Sequence, residues 1–148
     1  MNHPSKKLRI YNTAVCMLLI LLWIYAALQK LSDFEEFRRS MYNQVFPSWF
    51  VFALLFMLPA SELVAAGLLF FERTRQSGIL LSAGLLSAFT VYIALILLHY
   101  FPRVPCSCGG VLSILGWREH LAFNLAFLAL SVSAMLIQFR FKIKKNIN

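Results

Sequence analysis

Hydrophobic and polar residues follow one another along this chain in long blocks rather than in short alternation. Four apolar blocks cover about residues 8–31, 49–71, 78–101 and 120–139. Each is near the ~20 residues that an α-helix needs to cross about 30 Å of hydrocarbon. Backbone polar groups in lipid must be satisfied within the segment, and the alternating segments of a β-barrel are absent from the sequence. The pattern therefore predicts an all-α integral membrane protein, a four-transmembrane-helix bundle that forms a single domain over residues 1–148.

The segment between the first two blocks has a different pattern. Its apolar residues recur at spacings of three and four, which places them on one face of a helix: Phe34, Phe37, Met41 and Val45. Ser32 or Asp33 is suited to cap the N-terminus of such a helix. The pattern favours a short outer amphipathic helix that lies on the membrane surface, with a polar loop as the alternative.

Composition supports a membrane protein and removes one class of partner. The chain is 60% hydrophobic and 14% charged, with a mean hydropathy of +0.72, whereas a soluble domain is about 45–50% apolar and about 25% charged. The formal net charge of +8 comes from residues at the ends of the apolar blocks. No basic stripe is interleaved with exposed aromatic residues, so nucleic acid is not expected as a partner. The expected partner is the lipid bilayer.

The positions of the basic residues predict the orientation in the membrane. Nine of the 14 Lys and Arg residues lie in the N-terminal segment, the 72–77 connection and the C-terminal segment. With four helices these segments share one side, and an excess of Lys and Arg marks the cytoplasmic side. We expect a multi-pass protein of a bacterial inner membrane with both termini in the cytoplasm. The loop of residues 102–119 then faces the periplasm, where disulfides persist.

That loop carries two cysteines one residue apart, in the sequence "VPCSCGGVLS". A disulfide between Cys106 and Cys108 would close a small, strained ring, and strain makes such a bond labile rather than structural. Gly109 and Gly110 permit a tight turn that leaves the sulfurs accessible. Thiol–disulfide exchange is one interpretation. A second interpretation is a metal site in which a histidine joins the two thiolates. A third is that the cysteines are simply two small side chains without chemistry.

Several polar residues fall at one depth beneath this loop when positions are counted along ideal helices. They are Tyr25, Lys30, Tyr92, His99, His120 and Asn124. Polar groups within lipid usually face the bundle interior, where they serve a function or hydrogen-bond neighbouring helices. Lys30 has the further option of extending outward to the membrane surface.

Glu62 is the acidic residue that lies well inside an apolar block. A charged carboxylate near the bilayer centre costs at least about 2.5 kcal/mol, so Glu62 is expected to be protonated, hydrogen-bonded or paired. Gly67 on the same helix is expected to permit close packing on a neighbour. Cys16, inside the first block, is expected to be a packing residue.

Three stretches together resemble the MauE branch of the MauE/DoxX-like membrane proteins, the methylamine-utilisation MauE proteins. They are "YAALQKLSDFEEFRRSM", "LPASELVAAGLL", and "CSCGG" followed by "FNLAF". The resemblance covers about residues 8 to 140 and implies a four-helix bundle with a role in periplasmic redox maturation, alongside a thioredoxin-like partner. Lys30, Glu62, Cys106, Cys108 and Gly109 match its motifs. The related DoxX-type proteins imply a quinone as electron acceptor.

Three functions compete at this point. The first is a membrane thiol–disulfide oxidoreductase that uses Cys106 and Cys108 to support disulfide formation in a periplasmic client. The second is a non-catalytic membrane scaffold that docks a redox partner. The third is a metal-binding membrane protein that combines the two thiolates with His99 or His120.

Overall fold

The computed structural model describes residues 6–44, 46–100 and 116–147, with side chains described up to residue 140. All regular secondary structure in these ranges is helical: α1 (Lys6–Ser32), α2 (Phe34–Tyr42), α3 (Ser48–Phe70), α4 (Arg75–Leu97) and α5 (Trp117–Ile147). Four helical segments are long and apolar enough to cross a membrane, namely Lys6–Ser32, Ser48–Phe70, Arg75–Leu97 and Trp117–Arg140. The predicted fold class is confirmed, and the four spans lie within a few residues of the predicted blocks.

The four long helices alternate in direction and form a closed bundle. Helix α1 packs between α3 and α5, and α4 packs between the same two helices on the opposite side. The core is made of buried apolar residues from all four helices, among them Leu19, Leu69, Ile79, Leu86 and Ala134. Large apolar side chains such as Leu21, Phe56 and Leu136 are exposed on the outside. This outward apolar surface suits a lipid bilayer, since a soluble monomer rarely exposes large apolar patches.

The bundle has two ends, which are named here by what they carry. At the loop end, α1 and α4 finish, α3 and α5 start, and the segment of residues 98–116 joins α4 to α5. At the terminal end lie the start of α1, the turn between α3 and α4, and the last turns of α5.

Helix α2 forms where the amphipathic pattern predicts it, with Asp33 as its N-cap. The Asp33 carboxylate accepts a hydrogen bond from the Glu36 N–H at 3.1 Å, which satisfies one of the free donors of the first turn. Phe37 and Met41 are buried against Val51 and Leu55 of α3. Because only residues 43–47 separate α2 from α3, much of the predicted apolar face is covered by protein rather than left open to lipid.

The close helix approach occurs at a different glycine from the one expected. Gly67 is exposed, and a Cβ placed there would meet nothing within 4 Å. Gly78, at the start of α4, is buried, and a Cβ there would lie 2.8 Å from the backbone N of Leu69. The short turn between α3 and α4 forces the two backbones together at Gly78, whereas Gly67 lies on the outer face of α3.

Candidate functional site

A buried ion pair joins α1 to α3 inside the bundle. The Lys30 Nζ lies 2.7 Å from Glu62 Oε1, with side-chain exposures of 15% for the lysine and 1% for the glutamate. The same ammonium donates a hydrogen bond to the Ala26 carbonyl at 3.2 Å. Lys30 is therefore turned back along α1 toward the middle of the bundle instead of extending to the surface. Of the states expected for Glu62, the structure shows the paired one.

Helical periodicity brings these two side chains to the same interior surface. On α3, Glu62 follows Pro59 by three residues and precedes Ala66 by four, and all three are buried. On α1, Lys30 follows the buried residues Trp23 and Ala27 at spacings of seven and three. Residues at such spacings share a helix face, so a face made for packing carries one charged group on each helix.

His120 and Asn124 on α5 extend this polar site. His120 is half-buried in the first turn of α5, close enough to the Lys30 ammonium to interact with it electrostatically. Asn124 lies one helical turn further into the bundle and is only 5% exposed. Its Nδ2 and the second carboxylate oxygen of Glu62, Oε2, have no hydrogen-bond partner among the described atoms. A buried donor on α5 and a buried acceptor on α3 thus lack a partner among the described atoms, and each favours a polar ligand or water.

The other predicted polar residues are exposed or make different contacts. The Tyr92 hydroxyl donates to Gln44 Oε1, and its ring lies 6.0 Å from that of Phe46, so Tyr92 ties α4 to the connection between α2 and α3. Tyr25 is 37% exposed on α1. His99 is exposed just beyond α4 and has a positive φ of 54°. The residues expected at one depth are thus spread over different contacts, and Lys30 pairs with Glu62 of α3.

The cysteine pair and its turn lie outside the described residues. The predictions for Cys106, Cys108, Gly109 and Gly110 therefore remain predictions. Within residues 6–44, 46–100 and 116–147, no group of three or more His, Cys, Asp or Glu side chains is arranged to hold a metal ion. Cys16 is 2% exposed in the core between the helices, as expected of a packing residue.

Two interhelical hydrogen bonds were not anticipated from the sequence. The Trp23 Nε1 donates to Ser82 Oγ at 2.8 Å in the buried core, linking α1 to α4. The hydroxyls of Tyr11 and Ser133 lie 2.7 Å apart and link α1 to α5. Ser82 does carry a signal, because it lies between the buried residues Ile79 and Leu86 at helical spacing. A serine on the buried face of a helix needs a hydrogen-bond partner. Which residue is that partner depends on which helix lies opposite.

These features define a multi-pass α-helical membrane protein with a buried charge pair in its transmembrane core. The chain matches the family described as methylamine utilisation protein MauE over residues 8–137, and it belongs to that family. The resemblance seen in the sequence is thereby confirmed. No curated protein and no solved structure matches the chain significantly.

Proposed function

We propose that this protein is an integral membrane thiol–disulfide exchange protein that supports disulfide maturation of a partner, with Cys106 and Cys108 as its redox pair. A partner thiolate attacks one sulfur of the Cys106–Cys108 disulfide, which forms a mixed disulfide and releases the other sulfur as a thiolate. The second partner thiol then displaces the bound cysteine. Two electrons pass from the partner to the pair, and the partner leaves as a disulfide.

The observation that carries this proposal is the polar site that includes His120 at the start of α5, the helix that follows the cysteines in the chain. His120 follows Cys108 by twelve residues in the chain, and it lies within electrostatic range of Lys30, which pairs with Glu62. Oxidation of two thiols releases two protons, and a carboxylate, an ammonium and an imidazole are groups that hold and transfer protons. Membership of the MauE family is consistent with this role.

The resemblance to DoxX-type proteins implies a quinone as the acceptor that reoxidises the cysteine pair. Asn124 Nδ2 and Glu62 Oε2, which lack hydrogen-bond partners among the described atoms, are the groups to compare with the needs of a quinone. A quinone carbonyl accepts hydrogen bonds, and the Asn124 amide and the Lys30 ammonium are donors. Donors of this kind suit a quinone carbonyl, and a bound quinone would supply a two-electron, two-proton acceptor. With such a group bound, Asn124 would orient a carbonyl, and Glu62 would hold a proton through Oε2, which has no partner among the described atoms.

The proposal is tested by redox titration of the purified protein against a glutathione series, read by thiol alkylation and intact mass. We expect a reversible two-electron transition at roughly −120 to −270 mV, the range of known exchange proteins. The transition should disappear in the Cys106→Ser, Cys108→Ser double variant. It should persist in Cys16→Ala, which removes the cysteine that is buried in the core. Thiols that never pair, or a disulfide that resists the whole series, would contradict the proposal.

A scaffold that docks a redox partner is the second candidate, favoured by the bonds that tie the helices together. The Lys30–Glu62 and Trp23–Ser82 contacts each join two helices without any need for turnover. Measuring disulfide formation in the client protein distinguishes the two functions. Full maturation of the client's disulfides by the Cys106→Ser, Cys108→Ser variant would favour the scaffold, whereas loss of maturation with partner binding retained would favour exchange.

A further inference from the structure

An open, strongly polar cleft lies at the terminal end of the bundle, opposite the site described above. Its volume is about 490 Å³. It is formed by the start of α1, the turn between α3 and α4, and α5. Its lining residues are Arg9, Asn12, Glu72, Arg73, Arg75, Gln76 and Gln138.

The cleft carries a net positive charge. Three arginines face one glutamate, which leaves a formal charge of two positive units on its lining residues. The Arg75 Nε donates to the Leu69 carbonyl at 3.4 Å, which anchors this side chain beside the turn. Guanidinium groups bind phosphate through paired, charge-assisted hydrogen bonds.

The position of the cleft along the helices sets its depth in a membrane. Arg9 lies in the first turn of α1, Arg75 is the first residue of α4, and Gln138 lies two residues before the end of the last span. All three belong to the ends of membrane-spanning segments. The cleft therefore lies at the level of the lipid headgroups of one leaflet, where clusters of arginine recognise anionic headgroups.

Asn12 adds a requirement for a hydrogen-bond donor. Its Oδ1 is buried and has no hydrogen-bond partner among the described atoms. The phosphodiester of a phospholipid offers no donor to such an oxygen, and a choline headgroup offers none either. A hydroxyl on the headgroup meets this need, since a buried acceptor without a partner is costly.

We propose that this cleft binds the phosphoglycerol headgroup of an anionic phospholipid. Arg9, Arg73 and Arg75 engage the phosphate, and a glycerol hydroxyl donates to Asn12. The site is separate from the polar site beside His120 and does not depend on the thiol chemistry proposed for the cysteines.

The test uses the full chain in detergent, titrated with phosphatidylglycerol, phosphatidylcholine or inorganic phosphate and read by native mass spectrometry. We expect phosphatidylglycerol to bind in preference to the other two. The Arg9→Gln, Arg73→Gln variant should bind it roughly thirtyfold more weakly, at about 1 kcal/mol per basic residue near the surface. The Arg39→Gln, Arg118→Gln variant, with the same loss of charge on exposed residues outside the cleft, should bind normally.

The Glu72→Gln variant distinguishes a direct effect on lipid binding from a loss of binding caused by misfolding. Removing the acid from the cleft should strengthen phosphatidylglycerol binding, a gain that a damaged protein would not show. Equal binding of phosphatidylglycerol and phosphatidylcholine, or equal weakening in both arginine double variants, would overturn the proposal. So would inorganic phosphate that binds as well as the lipid and displaces it, because free phosphate would then be the ligand.

Discussion

Lys30 and Glu62 show how single residues set the energetics of this bundle. Either charge alone within the spans would cost at least about 2.5 kcal/mol, and together they offset much of that cost. Replacing a buried pair by apolar residues is often neutral, whereas removing one partner leaves an uncompensated charge. The pair is therefore a weak source of stability but a strong constraint on which residues can be changed singly.

The first prediction at this scale is a double-mutant cycle on that pair. Lys30→Met and Glu62→Leu should each lower the free energy of unfolding in detergent by about 3–5 kcal/mol, because the remaining charge stays buried. The double variant should be less destabilised than the sum of the two, because no charge is left unpaired.

The exposed pair of Glu35 and Arg38, 2.8 Å apart on α2, is the matched control. Its coupling should fall within about 0–1 kcal/mol, as is usual for pairs in water. Equal coupling energies in the two pairs would mean that Lys30 and Glu62 are solvated, contrary to the burial seen here.

Helix packing depends on one point of close contact between α3 and α4. At Gly78 the nearest neighbours of an added Cβ are the backbone N and the side-chain Cγ of Leu69, at 2.8 Å and 2.9 Å. A backbone atom cannot move away from an added Cβ by a change of side-chain rotamer. Gly84, two turns later on the same helix, has nothing within 4 Å.

Gly78→Ala should therefore destabilise the bundle by about 1–3 kcal/mol through overpacking. Gly84→Ala should be neutral or stabilising by about 0.5–1 kcal/mol, since alanine favours the helix and meets no neighbour. Thermal unfolding of both variants in the same detergent measures the difference. A Gly78→Ala protein as stable as Gly84→Ala would show that α3 and α4 are further apart than described.

At the same scale, the sequence predicted the helices better than their contacts. The amphipathic spacing of Phe34, Phe37 and Met41 was sufficient to predict α2, and Asp33 marked its start. Placing the apolar face of α2 on the membrane surface was incomplete, because Val51 and Leu55 cover part of it. Spacing reports that a face is apolar, and it does not report whether lipid or protein lies against it.

For the whole molecule, the distribution of basic residues predicts the orientation, which the helices alone leave open. With nine of 14 basic residues in the segments at the terminal end, that end should face the cytoplasm. In a Cys16→Ala background, a membrane-impermeant thiol reagent should label Cys106 and Cys108 in intact, reduced spheroplasts.

A cysteine introduced at Asn148, in a chain from which the other three are removed, should label only after lysis. The predicted orientation would be reversed if Asn148→Cys were labelled from outside and if Cys106 and Cys108 were protected from the reagent in the Cys16→Ala chain. That result would also place the proposed redox pair in a reducing compartment, where a stable disulfide is rare.

The sequence by itself determined the number of spans, their approximate limits, the amphipathic helix and the family, because length, apolar composition and local motifs are properties of contiguous residues. It also singled out Lys30, Glu62 and His120. Only the tertiary structure decided that Lys30 pairs with Glu62, that Tyr92 bonds Gln44, that Trp23 bonds Ser82, and that arginines from α1 and from the 72–77 connection line one cleft. Depth along a helix follows from the 1.5 Å rise, but the partner of a side chain depends on how each helix is rotated and which neighbour it faces. That choice is made by packing across the whole bundle.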